Sequence, residues 1–460
     1  MNKKLGLAVA GAVMAFGATA ANAGITIPAG DWTIDIGGNV NAYYSNTSFS
    51  GDFEDQAIAV VEDPVTGARS QVLVPRGQGA PLTDNANQVS TGLLPSALGI
   101  GGKTRQNDLD IAFQFTFFTG GNSCGGIGSS SGLYGCGGAD GNSLNIRQAY
   151  MTFGDASWGS IKMGRDLGLF GSDAILSDMT LLGVGVGAGG AGSSTLGRIG
   201  SGYLYADWVG QISYQSPNWN GFSFAAAVRE PWNNSSNSDL GFEAKASYEW
   251  AGDVSGKVWV GGIHQKMRVA EVAAVEGICV QDSSNLIDST ENGLCQDWFS
   301  DPVRLSGSPG SPEYSRDAQA WEIGGKVNFS GLTLVGYYYD GENIGLPGVA
   351  NNTVLTGLAL GALDDSDHDV NGGYVQAMYT LPNAGTKIGA SWGISTYEKN
   401  STSGSDDFEA ESWMIGVYHP LTKSLNLVAE YVDADYENLG LIKGFDGEAK
   451  TVSLGAIMFF

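Results

Sequence analysis

The chain has 460 residues, among them 70 glycines, 18 tyrosines and 18 phenylalanines, and carries a formal net charge of −25 at pH 7. This acidity argues against nucleic acid and against anionic membrane surfaces as partners. After residue 20 there is no run of about 20 apolar residues, which excludes helical membrane spans.

The amino-terminal segment has the pattern of a secretory signal peptide. Lys3 and Lys4 precede an apolar stretch from residue 5 to residue 20, and Ala21-Asn22-Ala23 fits a small-x-small cleavage site. We therefore expect a signal peptide over residues 1–23 and one domain over residues 24–460. The alternative is an uncleaved membrane anchor.

Apolar and polar residues alternate at period two along most of the remaining chain, as in Leu109, Ile111 and Phe113 against Asp110 and Ala112. This alternation is typical of strands with one apolar and one wet face. It predicts an all-β fold, a 16-stranded antiparallel transmembrane β-barrel, since bacterial single-chain barrels have an even number of strands. The strands are predicted near 31–44, 91–103, 106–119, 144–154, 159–169, 208–217, 221–231, 240–251, 256–268, 318–329, 331–342, 370–381, 386–397, 409–420, 424–437 and 449–460.

The connections between these strands differ sharply in length. Tight turns rich in Pro, Gly, Asn and Asp are predicted at 155–158, 217–220, 330–331, 382–385 and 420–423. Long connections are predicted at 45–90, 120–143, 170–207, 269–317 and 343–369. Short periplasmic turns opposite long external loops are typical of outer-membrane barrels.

Charged residues on the polar faces of the strands are predicted to line a wet lumen. They are Asp108, Asp110, Lys162, Glu243, Lys245, Glu322, Lys326, Lys387 and Glu430.

The four cysteines form two local pairs, Cys124 with Cys136 and Cys279 with Cys295, in loop sequence. In an oxidising compartment we expect two disulfides that staple these loops. A zinc site is the weaker alternative, because no histidine lies near either pair.

Two further motifs are better explained as loop sequence. The residues 185–190 match GxGxxG by spelling, but no preceding buried strand or following helix supports nucleotide binding. The residues 367–372 match half of a calcium loop, and Met378 replaces the glutamate of its twelfth position. With three histidines and no GxSxG motif, neither an enzyme nor a metal or cofactor site is predicted, and a purely structural barrel or adhesin is the remaining minor alternative.

The last ten residues form a strand that is apolar on one face, with Val452, Leu454 and Met458, and ends at Phe460. A transmembrane barrel needs such a lipid-facing closing strand to pair with its first strand.

Three local sequences are more specific than this periodicity. The segment 145–154 (NIRQAYMTFG), the segment 159–165 (GSIKMGR) and the segment 214–223 (YQSPNWNGFS) resemble, in the same order, motifs of the Gram-negative general porins, and Phe460 completes the pattern as an assembly signal. The resemblance implies a homotrimeric channel in the bacterial outer membrane, in contact with lipid and lipopolysaccharide and inserted by the barrel assembly machinery. It also implies that the third long loop, about 170–207, folds into the lumen.

Constriction residues follow from the same resemblance. Arg147 and Arg165 match wall arginines, while Asp173 and Asp178 lie in the loop that supplies opposing carboxylates. The second strand has Ser96-Ala97-Leu98-Gly99-Ile100 where such porins often carry an arginine, and Ser213 replaces another. Arg198 and Arg229 are candidates to substitute for them.

The resemblance implies a water-filled channel for passive diffusion of small hydrophilic solutes and ions. The alternative is a substrate-selective outer-membrane channel of the same fold, because the segment 179–196 of the third loop is uncharged and apolar.

Overall fold

The computed structural model describes residues 24–51, 56–62, 69–75, 85–120, 144–187, 195–231, 239–269, 279–281, 285–287, 303–304, 314–344, 368–399, 407–438 and 446–460. Within these ranges, no helix has both the length and the apolar character that crossing a membrane requires. The predicted signal peptide, residues 1–23, lies outside them and stays a prediction. The same holds for the disulfides, because the four cysteine side chains are not described.

A closed antiparallel sheet of sixteen strands forms the wall of the molecule. Its strands are β1 (Trp32–Gly51), β2 (Ser96–Gln106), β3 (Leu109–Thr119), β4 (Asn145–Asp155), β5 (Gly159–Leu167), β6 (Trp208–Gln215), β7 (Phe222–Arg229), β8 (Gly241–Trp250), β9 (Val254–Val269), β10 (Tyr314–Phe329), β11 (Leu332–Glu342), β12 (His368–Thr380), β13 (Lys387–Lys399), β14 (Phe408–Pro420), β15 (Leu425–Glu437) and β16 (Gly447–Phe459). Each strand pairs with its neighbour in sequence, and β1 pairs with β16 from Asn39↔Phe459 to Gly51↔Gly447. The predicted 16-stranded barrel is confirmed.

The place of the second strand in the barrel wall is shared by two separate segments. A segment Asn85–Ser90 pairs with the far half of β1 and β2 pairs with its near half, while the residues 91–95 between them leave the sheet. The strand predicted near 91–103 therefore begins at Ser96. At the amino-terminal end, Ile25–Ala29 adds a short hairpin to β1. The short strands Gln56–Glu62 with Arg69–Pro75, and Cys279–Gln281 with Asn285–Ile287 and Val303–Arg304, form separate small sheets.

The two faces of the wall differ as the alternation requires. On β16, Val452 and Leu454 face outward with 47% and 55% of their surface exposed, whereas Thr451 and Ser453 face inward and are buried. An apolar exterior is what hydrocarbon selects for, since lipid offers no hydrogen-bond partner. We call the end of the barrel with tight connections, such as residues 156–158 and 330–331, the turn end, and the opposite end the loop end.

The connection from residue 168 to residue 207, which we call the inner loop, has its described residues, 168–187 and 195–207, inside the barrel. It contains a short helix, α1 (Ser172–Ser177), and a 3₁₀ turn, Met179–Leu182. Its apolar side chains Phe170, Ile175 and Met179 belong to one buried cluster with wall residues such as Trp259 and Tyr337. The hydrophobic core of the molecule therefore sits within the barrel, which explains why the loop sequence is apolar.

Candidate functional site: the lumen and its inner loop

Three wall glutamates hold the inner loop by its backbone. Glu243 accepts a hydrogen bond from the Leu169 N–H, and Glu322 accepts one from the Gly171 N–H at 2.8 Å. Further along the loop, Glu430 accepts from the N–H groups of Val184 and Gly185, both at 2.8 Å. Buried backbone donors need acceptors, and ionised acceptors make the stronger bonds. These contacts therefore fix both ends of the loop's described helical segment to the wall.

Neutral side chains add to this docking. Gln376 on β12 accepts from the Met179 N–H at 2.7 Å and donates to the Ser177 carbonyl at 2.9 Å. The Tyr374 hydroxyl donates to the Ala174 carbonyl at 2.8 Å. Gln376 thus satisfies the Ser177 carbonyl at the end of the short helix α1 and the Met179 N–H that follows it, while Tyr374 adds a second bond to the Ala174 carbonyl.

Asp173 lies between two lysines of the wall. Its carboxylate oxygens are 2.8 Å from Lys245 Nζ and 2.5 Å from Lys257 Nζ. Burial by itself raises the pKa of Asp173, but the two ammonium groups outweigh it and lower that pKa to about 2. Asp173 and Lys245 are among the residues predicted from the sequence, whereas Lys257 is not, although Lys257 alternates with Val258 in the same way as the other inward residues.

Asp178 does not face the wall across an open passage. It accepts from the Thr180 N–H at 2.9 Å, from the Arg198 N–H at 3.2 Å and from the Tyr203 hydroxyl at 2.7 Å. It therefore caps the 3₁₀ turn and closes the loop on itself.

The Arg198 guanidinium is buried against the wall. Its Nη1 donates to the Ser201 carbonyl and to the Ser412 carbonyl and hydroxyl, at 2.9–3.1 Å, and its charge lies 6.0 Å from the Tyr374 ring centroid. In the loop, burial lowers the pKa of Arg198 while the nearby Asp178 opposes that effect. Arg198 is fully buried, and its hydrogen bonds to Ser412 hold the inner loop against the wall.

Two of the wall arginines that the sequence singles out, Arg229 and Arg147, point inward. Arg229 forms a buried ion pair with Glu243. Arg147 lies at an irregularity where β4 carries one residue more than β3, between Thr116 and Phe117. Such a bulge turns an extra side chain toward one face, and Arg147 accordingly lies 4.9 Å from the Phe118 ring centroid inside the barrel.

The expectation for Arg165 is wrong. On β5 it pairs with Ala149 and Gly210, and it is exposed, whereas its neighbour Asp166 is buried and accepts from Gln148 inside the barrel. Because successive side chains of a strand point to opposite faces, Arg165 faces outward.

The predicted lumen residues divide into three groups. Asp108 lies in the turn between β2 and β3, at the rim of the barrel and not on its wall. Asp110 and Lys162 face inward, where Asp110 pairs with Arg105 at 2.8 Å and Lys162 pairs with Asp166. The inward glutamates, which are covered by the inner loop and buried, are Glu243, Glu322 and Glu430.

Four lysines line the lumen beside the inner loop, and we call them the lysine cluster. Lys257 and Lys326 are direct partners across β9 and β10, and Lys245 and Lys387 share their inward face. Lys245 and Lys257 are paired with Asp173. Lys326 and Lys387 are partly exposed and form no ion pair with any residue in the described ranges.

The described histidine side chains lie apart from one another. His264 faces outward, 3.4 Å from Asp317, and His419 lies 2.8 Å from the Thr386 hydroxyl near the turn end. The His368 side chain lies outside the described residues.

The sequence and the fold are both similar to those of known porins. The family model for Gram-negative porins matches residues 8–439. Among solved structures, the outer membrane channel DcaP of Acinetobacter baumannii is similar, with 13% identity and a TM-score of 0.54 over 95% of this chain and 100% of that one. So is OmpF of Salmonella typhi in complex with daunomycin, with 17% identity and a TM-score of 0.53 over 95% and 100%. An anion-selective porin from Comamonas acidovorans has 14% identity and a TM-score of 0.51 over 93% and 100%. At these identities the likeness shows the fold alone, and no curated protein matches this sequence.

Proposed function

We propose, from the premise that this chain belongs to the Gram-negative porin family, that it sieves small hydrophilic solutes and ions past an inner loop and a lysine cluster. The chain is an outer-membrane channel for diffusion, as the family and the barrel fold together indicate. The inner loop and the lysine cluster are the part of the lumen that limits the size and the charge of the solutes that pass.

The observation that carries the proposal is the docking of the inner loop. Glu243, Glu322 and Glu430, which lie on β8, β10 and β15, accept hydrogen bonds from its backbone N–H groups and hold it against the wall. A loop fixed in this way narrows the lumen permanently, and a narrow passage with low-dielectric walls strengthens the field of the charges that remain exposed.

Those remaining charges favour anions locally. Lys326 and Lys387 carry positive charges that no carboxylate in the described ranges neutralises by an ion pair, and they lie beside the loop. We infer that anions pass this level more easily than cations, even though the whole chain is acidic.

We propose a channel without catalytic activity that assembles into an oligomer. We assign no catalytic role to His264 or His419, and we expect a homotrimer in contact with lipid and lipopolysaccharide. Insertion by the barrel assembly machinery after removal of residues 1–23 rests on family membership, with Phe460 as the assembly signal.

The decisive experiment measures reversal potentials of single channels under a salt gradient in planar bilayers. The double variant Lys326→Gln/Lys387→Gln is expected to shift the reversal potential toward cation preference, while the matched control Lys423→Gln, in an exposed turn, leaves it unchanged. An unchanged reversal potential in the double variant would show that the lysine cluster does not act on the ions that pass. Ohmic currents without solute block support a general sieve, whereas small currents blocked by one solute class would support the substrate-selective alternative.

A further inference from the structure

Three carboxylates lie together on the outward face of the wall, near the loop end. Asp433 and Asp435 on β15 and Glu448 on β16 have ligand oxygens within 4.8 Å of one another. They share the outward face with Tyr431, opposite the inward Glu430. Charges on a lipid-facing surface are costly near the bilayer midplane and are tolerated toward its interfaces.

Asp433 is the unusual member of this cluster. Only 7% of its surface is exposed, and its Oδ1 has no hydrogen-bond partner in the part of the chain that the structure describes. Its Oδ2 accepts from the Tyr431 hydroxyl at 3.2 Å. A buried acceptor without a partner carries a desolvation cost, and the cost is larger when the acceptor is charged. A ligand that supplies positive charge would remove that cost.

The protein itself neutralises only part of the cluster. Lys450 pairs with Glu448, and the Ser50 hydroxyl donates to the other oxygen of Glu448 at 2.7 Å. Across the strands, Lys450 is also the register partner of Asp433. Three carboxylates and one ammonium leave two negative charges, which is the charge that one divalent cation balances.

The ligand type favours calcium among divalent cations. Calcium binds about six to eight oxygens, carboxylates among them, in flexible geometry, whereas magnesium demands nearly ideal octahedral geometry and usually keeps several of its waters. We propose that Asp433, Asp435 and Glu448 form a calcium site on the outer surface of the barrel. Three carboxylates leave coordination positions open, and because Asp435 is exposed, those positions face the surroundings of the barrel.

The test uses terbium as a luminescent substitute for calcium on the purified full-length protein in detergent. Trp413 is the register partner of Asp433, so excitation of tryptophan should sensitise emission from a bound terbium ion. We expect saturable emission that calcium displaces at lower concentration than magnesium. Asp433→Asn should weaken terbium binding at least tenfold, and the control Glu398→Gln, an outward carboxylate outside the cluster, should leave it unchanged.

Lys450→Met should change terbium affinity in the opposite direction. Removing the competing ammonium should tighten terbium binding several-fold, and this result does not depend on whether Asp433→Asn folds. Equal terbium affinity in the wild type and in Asp433→Asn would overturn the proposal. So would weaker binding in Lys450→Met, or an equal loss in Glu398→Gln, which would indicate diffuse attraction of cations to an acidic surface.

Discussion

Glu430 is the wall residue whose replacement tests the docked loop most directly. One of its oxygens accepts from two loop N–H groups, and the other accepts from the Tyr418 hydroxyl at 2.6 Å. The loop lies so close that a Cβ placed on Gly183 would collide with the Glu430 carboxylate. In Glu430→Gln the shape stays the same, but the charge is lost and one acceptor becomes a donor.

The magnitude follows from the two backbone bonds. Hydrogen bonds to charged groups contribute about 1.5–3 kcal/mol and neutral ones about 0.5–1.5 kcal/mol, so the substitution weakens docking by about 2–3 kcal/mol. Since each 1.4 kcal/mol is a factor of ten, the ratio of docked to released loop should fall about 30- to 150-fold. We expect this loss to appear as excess noise and frequent partial closures in single-channel current.

The control for this experiment is Tyr418→Phe. It removes the third contact of Glu430 and leaves both bonds to the loop backbone, so its current should stay close to that of the wild type. If Glu430→Gln showed no more current noise than the wild type, or if the two variants showed equal current noise, the view that Glu430 holds the loop would be refuted.

The remaining predictions concern Asp173, Arg165 and the terminal residue. The pKa of Asp173 lies at about 2, below its ordinary value of 3.8, so its contribution to docking is complete above that ordinary value and is lost as pH falls through about 2; the difference in current noise between the wild type and Asp173→Asn should therefore be the same at pH 8 and at pH 5, and a difference that shrinks within that range would contradict the assignment. Asp173→Asn should shift the reversal potential toward anions, because it leaves Lys245 and Lys257 uncompensated, and a shift toward cations would count against the pairing. Arg165→Ser should leave the reversal potential unchanged, and a shift would return this side chain to the lumen. Deleting Phe460 removes its two backbone bonds with Gly38 and should reduce the amount of folded protein in the outer membrane, whereas normal levels would contradict its role in assembly.

The wall of the barrel was predictable because strand periodicity is local. Alternation placed Glu243, Glu322 and Glu430 on the inward face, and the structure agrees. It could not say that a loop distant in sequence covers them, because docking depends on contacts such as Glu430 with Val184 that join residues far apart in the chain. Residues expected in open water are therefore buried.

The error at Arg165 has a different origin. The predictions place both Lys162 and Arg165 in the lumen, although in a regular strand residues three positions apart face opposite sides. The assignment of Arg165 came from the family motif, and the alternation of its own strand already opposed it. Arg147 is the converse case, since a bulge that the alternation does not reveal turns it inward beside Gln148.

The inner loop joins the stability of this protein to its permeability. In a soluble domain the core lies between layers, but a barrel of sixteen strands is too wide for its own wall side chains to fill. Here Phe170, Ile175 and Met179 of the loop supply that filling, and the ion pair of Asp173 with Lys257 places charge beside the filled region. Any change that loosens the packed side should therefore also disturb the charges that solutes meet, so variants of the buried loop face and of the lysine cluster are expected to be coupled and not additive.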